Sequence, residues 1–315
     1  MNQNLLLLGG IKTVGDSLFE DQIETNLQQF FQWTFLNIGN YQNIYIPASG
    51  AYGGFPSRLR LVTEDPYYNV GQVWEGYRQD WVWETGVSFS PPPIQISGVY
   101  VNGNFVQAGA TGIYANHIDY PLGRVIFDNA IPSGSTVQCE YSHRLYSFSL
   151  SDIPWFREIQ QNSMRIDDPT FLQQGSGNWS ILGQSRFQLP QVVIESIPKT
   201  EIKGFTIGSY AKTIHQGIDF HIFTETPWDR KFLNSALMLQ FQNRFIGFDK
   251  NKIQASGKWP LDDGQLQSGF LTFPQLADLF QWQVIRIVDA KAQDIKATPP
   301  LYFSSIRAKI EFENP

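Results

Sequence analysis

Short β-strands separated by turn residues fill the stretch from Gly98 to Leu150, and this pattern constrains the fold more than any other part of the sequence. The residues GVYVNGNFV (98–106) contain Asn102-Gly103, a dipeptide that favours a tight two-residue hairpin turn. Further short strands follow on both sides of the turn IDYPLG (118–123). The pattern predicts a β-module, residues about 94–150, that is built to present a surface.

The last strand of this module shows an alternating pattern. Apolar or ring-bearing residues occupy the odd positions from Val137 to Leu145, and the even positions between them are polar. Successive side chains of a strand point to opposite faces, so one face is expected to be buried and the other, with Ser142 and Arg144, to face water. Cys139, the single cysteine, is expected to be a small buried side chain, and a lone cysteine excludes an intramolecular disulfide framework.

Helical periodicity and capping signals predict two longer helices. Ser17 and Glu20 have the spacing of a capping box, and apolar residues then recur at helical intervals, which predicts an amphipathic helix over 18–37. Thr226 followed by Pro227 combines an N-cap with a favoured first-turn residue and predicts a second helix. Shorter helices are expected over 152–164 and 274–280.

The last third of the chain combines these helices with regular strands. Strands are expected over 192–197, 205–208, 217–225, 283–289 and 305–312. The last of them alternates in polarity, which is typical of a half-buried antiparallel strand. The order of elements predicts an α+β fold: a mainly antiparallel sheet with a few flanking helices, and a β-rich, sandwich-like or barrel-like inserted module.

Composition excludes several classes of function. The formal charge is −6 and the basic residues form no run, which argues against a protein that coats nucleic acid. Charged residues make up 17% of the chain and aromatic residues 15%, which favours a polar, aromatic surface suited to contacts with other copies. The apolar run Leu5–Leu8 is too short for a signal-peptide core or a membrane span, so no membrane is expected and the default compartment is the cytoplasm.

The sequence contains no recognisable catalytic, cofactor or metal motif, and we expect neither an enzyme nor a cofactor. On an unbroken strand, three side chains would point to the same face with a spacing that could hold zinc: His215, Asp219 and His221. Gly217 is expected to interrupt that strand, and no fourth ligand is visible. Metal binding is therefore not predicted.

A carboxylate pair is the enzyme alternative, because glycosidases need only two carboxylates held apart by the fold. Asp65, Glu75, Asp80 and Glu84 lie near a cluster of tryptophans and would supply such a pair. The sequence selects no pair among them.

Three of the nine tryptophans, Trp74, Trp81 and Trp83, lie close together in the sequence. With Tyr77 and Arg78 they are our candidate contacts between subunits, since aromatic residues and arginine are favoured at interface centres. Two alternatives stay open: the rings fill the core of their own module, or they form an aromatic platform for a sugar or another partner.

Two segments resemble uncharacterised virion structural proteins of tailed bacteriophages, especially contractile-tailed phages of aquatic hosts and cyanobacteria. The first is GVYVNGNFV with IDYPLGRVIFDNAIPSGSTVQCEYSHR, and the second is SGAYGGFPSRLRLVTEDPYYNVGQVWEGYRQDWVWETGV. The resemblance implies a virion protein that is assembled in the host cytoplasm.

The order of the flanking elements resembles a narrower group. An N-terminal amphipathic helix, strands that end in HIFTET, a helix from Pro227 and a final alternating strand are similar to the α/β subunits of phage tail-terminator and neck rings. The resemblance implies a homo-oligomeric ring, commonly a hexamer, that closes the tail and joins it to the head. Neighbouring neck, tail tube or sheath proteins would be its partners, and DNA would pass through the lumen without specific binding.

The same resemblance implies a division of the chain. Residues 1–48 and 189–315 would form the ring-forming core, and 49–188 would be a β-rich insertion that faces outward. A different class of function is a baseplate or tail-fibre attachment protein that uses the β-module to bind a partner or a host glycan.

Overall fold

The computed structural model describes residues 19–47, 56–153, 155–156, 188–204, 212–295 and 302–314. These residues form an α+β, β-rich fold with mostly antiparallel sheets, which confirms the predicted fold class. The described α-helices are α1 (Phe19–Leu36), α2 (Pro227–Met238), α3 (Lys250–Ser256) and α4 (Phe273–Leu279).

Seventeen strands are described in the same ranges. The first nine are β1 (Tyr41–Ile44), β2 (Arg60–Leu61), β3 (Val73–Glu75), β4 (Gly98–Val101), β5 (Asn104–Gln107), β6 (Asn116–Asp119), β7 (Arg124–Phe127), β8 (Val137–Cys139) and β9 (Tyr141–Arg144). The others are β10 (Ser147–Leu150), β11 (Gln191–Gly204), β12 (Lys212–Thr224), β13 (Arg244–Phe248), β14 (Leu261–Asp262), β15 (Gln265–Leu266), β16 (Gln281–Ile295) and β17 (Tyr302–Asn314).

The main sheet has six strands in the order β10-β11-β12-β17-β16-β13. β10 and β11 are parallel, and all other neighbours are antiparallel. The helices pack against one face of this sheet around a core rich in phenylalanine. Phe31 of α1 stacks on Phe148 and meets Phe220 edge to face, in both cases with ring centroids 5.5 Å apart. Aromatic burial of this kind is the main attraction between the helix and the sheet.

The β-rich half, strands β1 to β9 with their connecting loops, contains three small sheets. Their orders are β2-β3-β7-β6, β5-β4-β8 and β1-β9. Asn102 and Gly103 have φ values of 51° and 81°, the positive angles that a type I′ hairpin turn requires, so the predicted hairpin is confirmed. A second hydrophobic core fills this half, with Trp81 and Tyr141 at its centre.

The chain crosses between the two halves more than once. β1 lies before residue 48 yet pairs with β9, and β10 lies before residue 188 yet joins the main sheet. Leu261, Leu266 and Phe270 pack against the core of the β-rich half. The division of the chain at residues 48 and 188 stays a prediction.

Local signals predicted several elements correctly. The N-terminal helix is α1, the helix after Thr226 is α2, and Thr226 accepts a hydrogen bond from the backbone N–H of Asp229 as an N-cap. Ser17, most of the expected helix over 152–164 and the expected strand over 205–208 lie outside the described residues.

Two expectations were wrong. β12 runs unbroken through Gly217, because it is paired along its length with β11 on one side and β17 on the other. In β9 both faces are buried: Ser142 is 0% and Arg144 1% exposed. The reason is that distant segments cover the polar face: Ser142 Oγ donates to Asn43 Oδ1 and accepts from the N–H of Ile94, and Asp80 and Glu84 bind Arg144.

Polar side chains of α1 bind backbone groups at both margins of the main sheet. Asn26 accepts from the N–H of Phe248 at 2.7 Å and donates to its carbonyl at 3.0 Å, at the end of β13. Gln28 and Gln32 donate to the carbonyl of Phe148 in β10, at 2.9 and 3.1 Å. Backbone groups at sheet margins lack a neighbouring strand, and these amides take its place.

The substitution Asn26→Ala tests this role. Asn26 is fully buried, so its loss leaves the N–H of Phe248 without its acceptor, and we expect the free energy of unfolding to fall by about 1–3 kcal/mol in chemical denaturation. The matched control is Gln29→Ala on the same helix. The side-chain amide of Gln29 donates to Gln32 at 3.4 Å, so we expect the free energy of unfolding to change by no more than about 0.5 kcal/mol. Equal losses in the two variants would contradict the role given to Asn26.

Candidate functional site

A cleft of about 590 Å³ lies where the β-rich half meets the main sheet. One wall is formed by β10 together with Gln28 and Gln32 of α1. The other wall carries Asp80, Trp81 and Arg144 from the β-rich half. The packing of the two halves against each other therefore creates the cleft.

Arg144 is the charged centre of this site. Its Nη2 donates to both carboxylate oxygens of Glu84 at 2.7 Å, and its Nε donates to Asp80 Oδ1 at 3.1 Å. Burial alone would lower the pKa of Arg144, but the charges of Glu84 and Asp80 outweigh burial and raise the pKa. One cation thus lies between two carboxylates, and the local formal charge is negative.

Two polar atoms at the cleft have no hydrogen-bond partner among the described residues. They are Nη1 of Arg144 and Oγ of Ser147, a residue that is 4% exposed. Both residues line the cleft. These two atoms are themselves buried and not open to the cleft, and a buried polar group without a partner costs free energy.

Sequence reasoning missed both residues. Alternation placed Arg144 on a water-facing side, and the covering segment around Asp80 lies more than 60 residues earlier in the chain. The available signal was compositional: Asp80 and Glu84 lie among tryptophans with few basic residues near them. Two carboxylates in such surroundings need a cation from elsewhere in the chain.

The structure places the five candidate interface residues in different surroundings. Trp74, Trp81 and Trp83 are 3%, 0% and 3% exposed and lie in the core of the β-rich half, which is one of the alternatives that the sequence left open. Tyr77 is 57% exposed, and Arg78 donates to the carbonyl of Leu189 at 3.1 Å. Within a single chain the three indoles contact their own core, and Tyr77 is the candidate that presents its ring to solvent.

The four carboxylates of the glycosidase alternative fall into two pairs. Arg144 binds Asp80 and Glu84, and Arg124 lies 3.1 Å from Asp65 and 3.5 Å from Glu75. The two members of each pair share one arginine. A guanidinium therefore occupies the space between them, where a glycosidase would hold the scissile bond.

The three residues considered for zinc lie on β12, but each has its own neighbour. His221 Nε2 lies 2.7 Å from Glu195, and Asp219 pairs with Arg307 at 2.7 Å. His215 lies on the same strand, beside β17. No group of three or more His, Cys, Asp or Glu side chains in the described part of the chain is arranged to hold a metal ion.

The fold and the cleft define an α+β, β-rich protein with a ligand-sized cleft at the junction of its halves. No protein-family model and no curated protein sequence matches this chain. None of the described helices is long and apolar enough to cross a membrane.

Replacement of the buried Arg144 tests how much its ion pairs contribute to the free energy of unfolding. Arg144→Met leaves Glu84 buried without its cation, and we expect a loss of about 3–5 kcal/mol in the free energy of unfolding. The control is Arg60→Met, which breaks the ion pair of an arginine side chain that is 71% exposed, and we expect a change within about 1 kcal/mol. A loss at Arg144 no larger than the loss at Arg60 would show that the buried triad contributes little.

The neighbouring His143 predicts a dependence of stability on pH. Burial lowers the pKa of His143, and its Nδ1 lies 3.0 Å from the carbonyl of Arg144. The unfolded chain therefore binds a proton at a higher pH than the folded chain, so stability is present above the unfolded pKa, about 6.5, and falls as the pH drops below it.

We expect His143→Phe to reduce the fall in unfolding free energy between about pH 7.5 and about pH 5.5. His117→Gln, at a histidine whose side chain is 30% exposed, is the control, and the effect of His143→Phe should exceed its effect. Denaturation curves at several pH values measure both. An unchanged fall in His143→Phe would mean that another group controls it.

Proposed function

We propose that this chain is a structural subunit that associates with copies of itself through the margins of its main sheet, and that the assembly is a neck or tail-terminator ring of a tailed bacteriophage. The ring would close the tail end, join it to the head and let DNA pass. The chain would then reside in the virion. One observation carries the proposal: the main sheet has a stepped outline, and part of one strand has no described strand on one of its sides.

The step follows from the register of the strands. At the level of Gln191 the sheet runs β10-β11-β12-β17-β16, and at the level of Arg286 it runs β11-β12-β17-β16-β13. β13 accompanies β16 as far as Arg286. Beyond that point, residues 288–295 of β16 have β17 on one side and no described strand on the other.

A strand in this position is suited to pairing with another chain. Its backbone N–H and C=O groups on the open side have no described neighbouring strand, and such groups are a template for strand addition. Lys291 and Ala292 are exposed in the middle of this segment. We name residues 288–295 the open edge.

The two margins of the sheet face in opposite directions, with β16 and β13 on one side and β10 and β11 on the other. Association of one margin with the opposite margin of the next copy is heterologous, and it forms a closed ring when the rotation between copies closes. The phage assignment is supported by the sequence resemblance and by the formal charge of −6, which suits a wall that DNA passes without being bound.

Proline substitution at the open edge tests the assembly. Lys291→Pro and Ala292→Pro each remove one backbone N–H, and successive N–H groups of an edge strand point to opposite sides. One of the two variants therefore loses an outward donor and keeps its bonds to β17. We expect that variant to remain folded and to associate at least about tenfold more weakly, a change of about 1.4 kcal/mol, in mass-resolved light scattering.

Lys291→Ala is the matched control for Lys291→Pro, because it removes the same side chain and keeps the N–H. It should assemble like the unsubstituted protein, whose class averages in negative stain should show closed rings, with sixfold symmetry for a neck ring. A monomer or a twofold dimer of the unsubstituted chain would contradict a self-assembling ring, and trimers would favour a fibre or baseplate component.

A further inference from the structure

Three loops meet at one end of the β-rich half. The backbone N–H of Asp128 donates to the carbonyl of Ala115 at 2.9 Å, and the N–H of Ile131 donates to the carbonyl of Gly71 at 3.1 Å. The side-chain amide of Gln72 donates to the carbonyl of Asp128 at 3.0 Å. These bonds hold the three loops together. Their exposed residues, which we name the loop surface, are 66–70, 111–114 and 128–130.

The loop surface presents rings and aliphatic side chains to solvent. Tyr67 and Tyr68 are 89% and 38% exposed. Val70, Ile113 and Tyr114 are 52%, 78% and 37% exposed. Single exposed apolar residues are normal, whereas a group of them on adjoining loops marks an interaction site. Tyrosines are favoured on recognition loops, because a ring gives a large contact area at a small cost in conformational entropy.

The charge of the surrounding half selects the partner. Residues 61–143 contain eight Asp or Glu, two Arg and no Lys, so their formal charge is −6, the same as that of the whole chain. Both arginines are engaged within the chain. Arg78 donates to the carbonyl of Leu189, and Arg124 lies 3.1 Å from Asp65. A surface in such a field attracts cations and repels anions, so a basic partner is complementary to it.

Carboxylates lie next to the exposed tyrosines. Asp65 accepts a hydrogen bond from the backbone N–H of Tyr67 at 3.0 Å. Burial and the nearby charge of Asp263 raise the pKa of Tyr68. A cationic side chain on either ring would therefore meet a π-face and a carboxylate together. Arginine suits this combination better than lysine, because its planar guanidinium stacks on rings and pairs with carboxylates.

We propose that the loop surface binds an arginine-rich protein segment, with guanidinium groups stacked on Tyr67 and Tyr68. Val70 and Ile113 would pack against the aliphatic stems of the arginines. A second copy of this chain is a poor fit, because its formal charge is also −6. The loop surface belongs to the β-rich half and the open edge to the main sheet, so the inference goes beyond the proposed ring and stands without it.

Titration calorimetry of short peptides on the full chain tests the inference. The probes are a peptide of alternating arginine and glycine and two matching peptides with lysine or glutamate in place of arginine. We expect the arginine peptide to bind with a dissociation constant of about 100 μM or tighter. The lysine peptide should bind at least about threefold more weakly, and the glutamate peptide at least about tenfold more weakly.

Variants locate the binding. Tyr67→Ala and Ile113→Ser should each weaken binding of the arginine peptide at least about threefold, the effect of one lost cation–π or apolar contact. Both side chains are largely exposed, so the variants should stay folded. Tyr67→Phe is the matched control, because it keeps the ring, and it should bind like the unsubstituted protein. Trp228→Ala removes a ring that is 76% exposed on α2, outside the loop surface, and should also leave binding unchanged.

Four results would overturn the inference: no binding of the arginine peptide at about 1 mM, equal binding of the lysine peptide, equal binding of the glutamate peptide, or binding that neither Tyr67→Ala nor Ile113→Ser weakens. The last result would mean that the peptide binds the acidic half without using the loop surface. Repeating the titration with the folded open-edge proline variant separates this inference from the ring. Peptide binding retained in a variant that does not assemble would support the loop surface, whatever the fate of the ring proposal.

Discussion

The amide and carboxylate side chains of α1 hold the main sheet together where strand pairing stops. Asn26 binds the backbone of β13 at one margin, and Gln28 and Gln32 bind β10 at the other. Glu24 accepts from the N–H of Ser196 in β11, at 2.6 Å. Backbone groups buried without partners would cost more than these bonds contribute, so the helix and the strands depend on each other.

This arrangement fixes the cleft as well as the sheet. β10 is the strand that joins the β-rich half to the main sheet, and the glutamines that hold it also form a wall of the cleft. On the facing wall, Arg144 is held by Asp80 and Glu84. The open edge of β16, in contrast, has no described strand or helix side chain on its outer side. That difference between the margins is the basis for the proposed assembly.

The sequence correctly predicted turns and helix ends that are determined by a few adjacent residues. The Asn102-Gly103 hairpin and the Thr226 cap depend on a few adjacent residues, and both appeared as expected. Gly217 and Arg144 were misplaced because their surroundings come from distant strands, and periodicity along one strand does not show what covers its second face. Of the residues that line the cleft, Trp81 and Trp83 were named from the sequence as interface candidates and Asp80 as a member of a carboxylate pair, none of them as part of a cleft.

The most direct measurement of the central claim is hydrogen exchange, by mass spectrometry, of the backbone amides in the open edge at increasing protein concentration. If the open edge pairs with another copy, outward amides between Lys291 and Ile295 exchange quickly in dilute protein and become protected as the assembly forms. Amides of β12, paired on both sides, should be protected throughout. Fast exchange of the open edge in fully assembled protein would contradict the account, because the copies would then be joined by another surface.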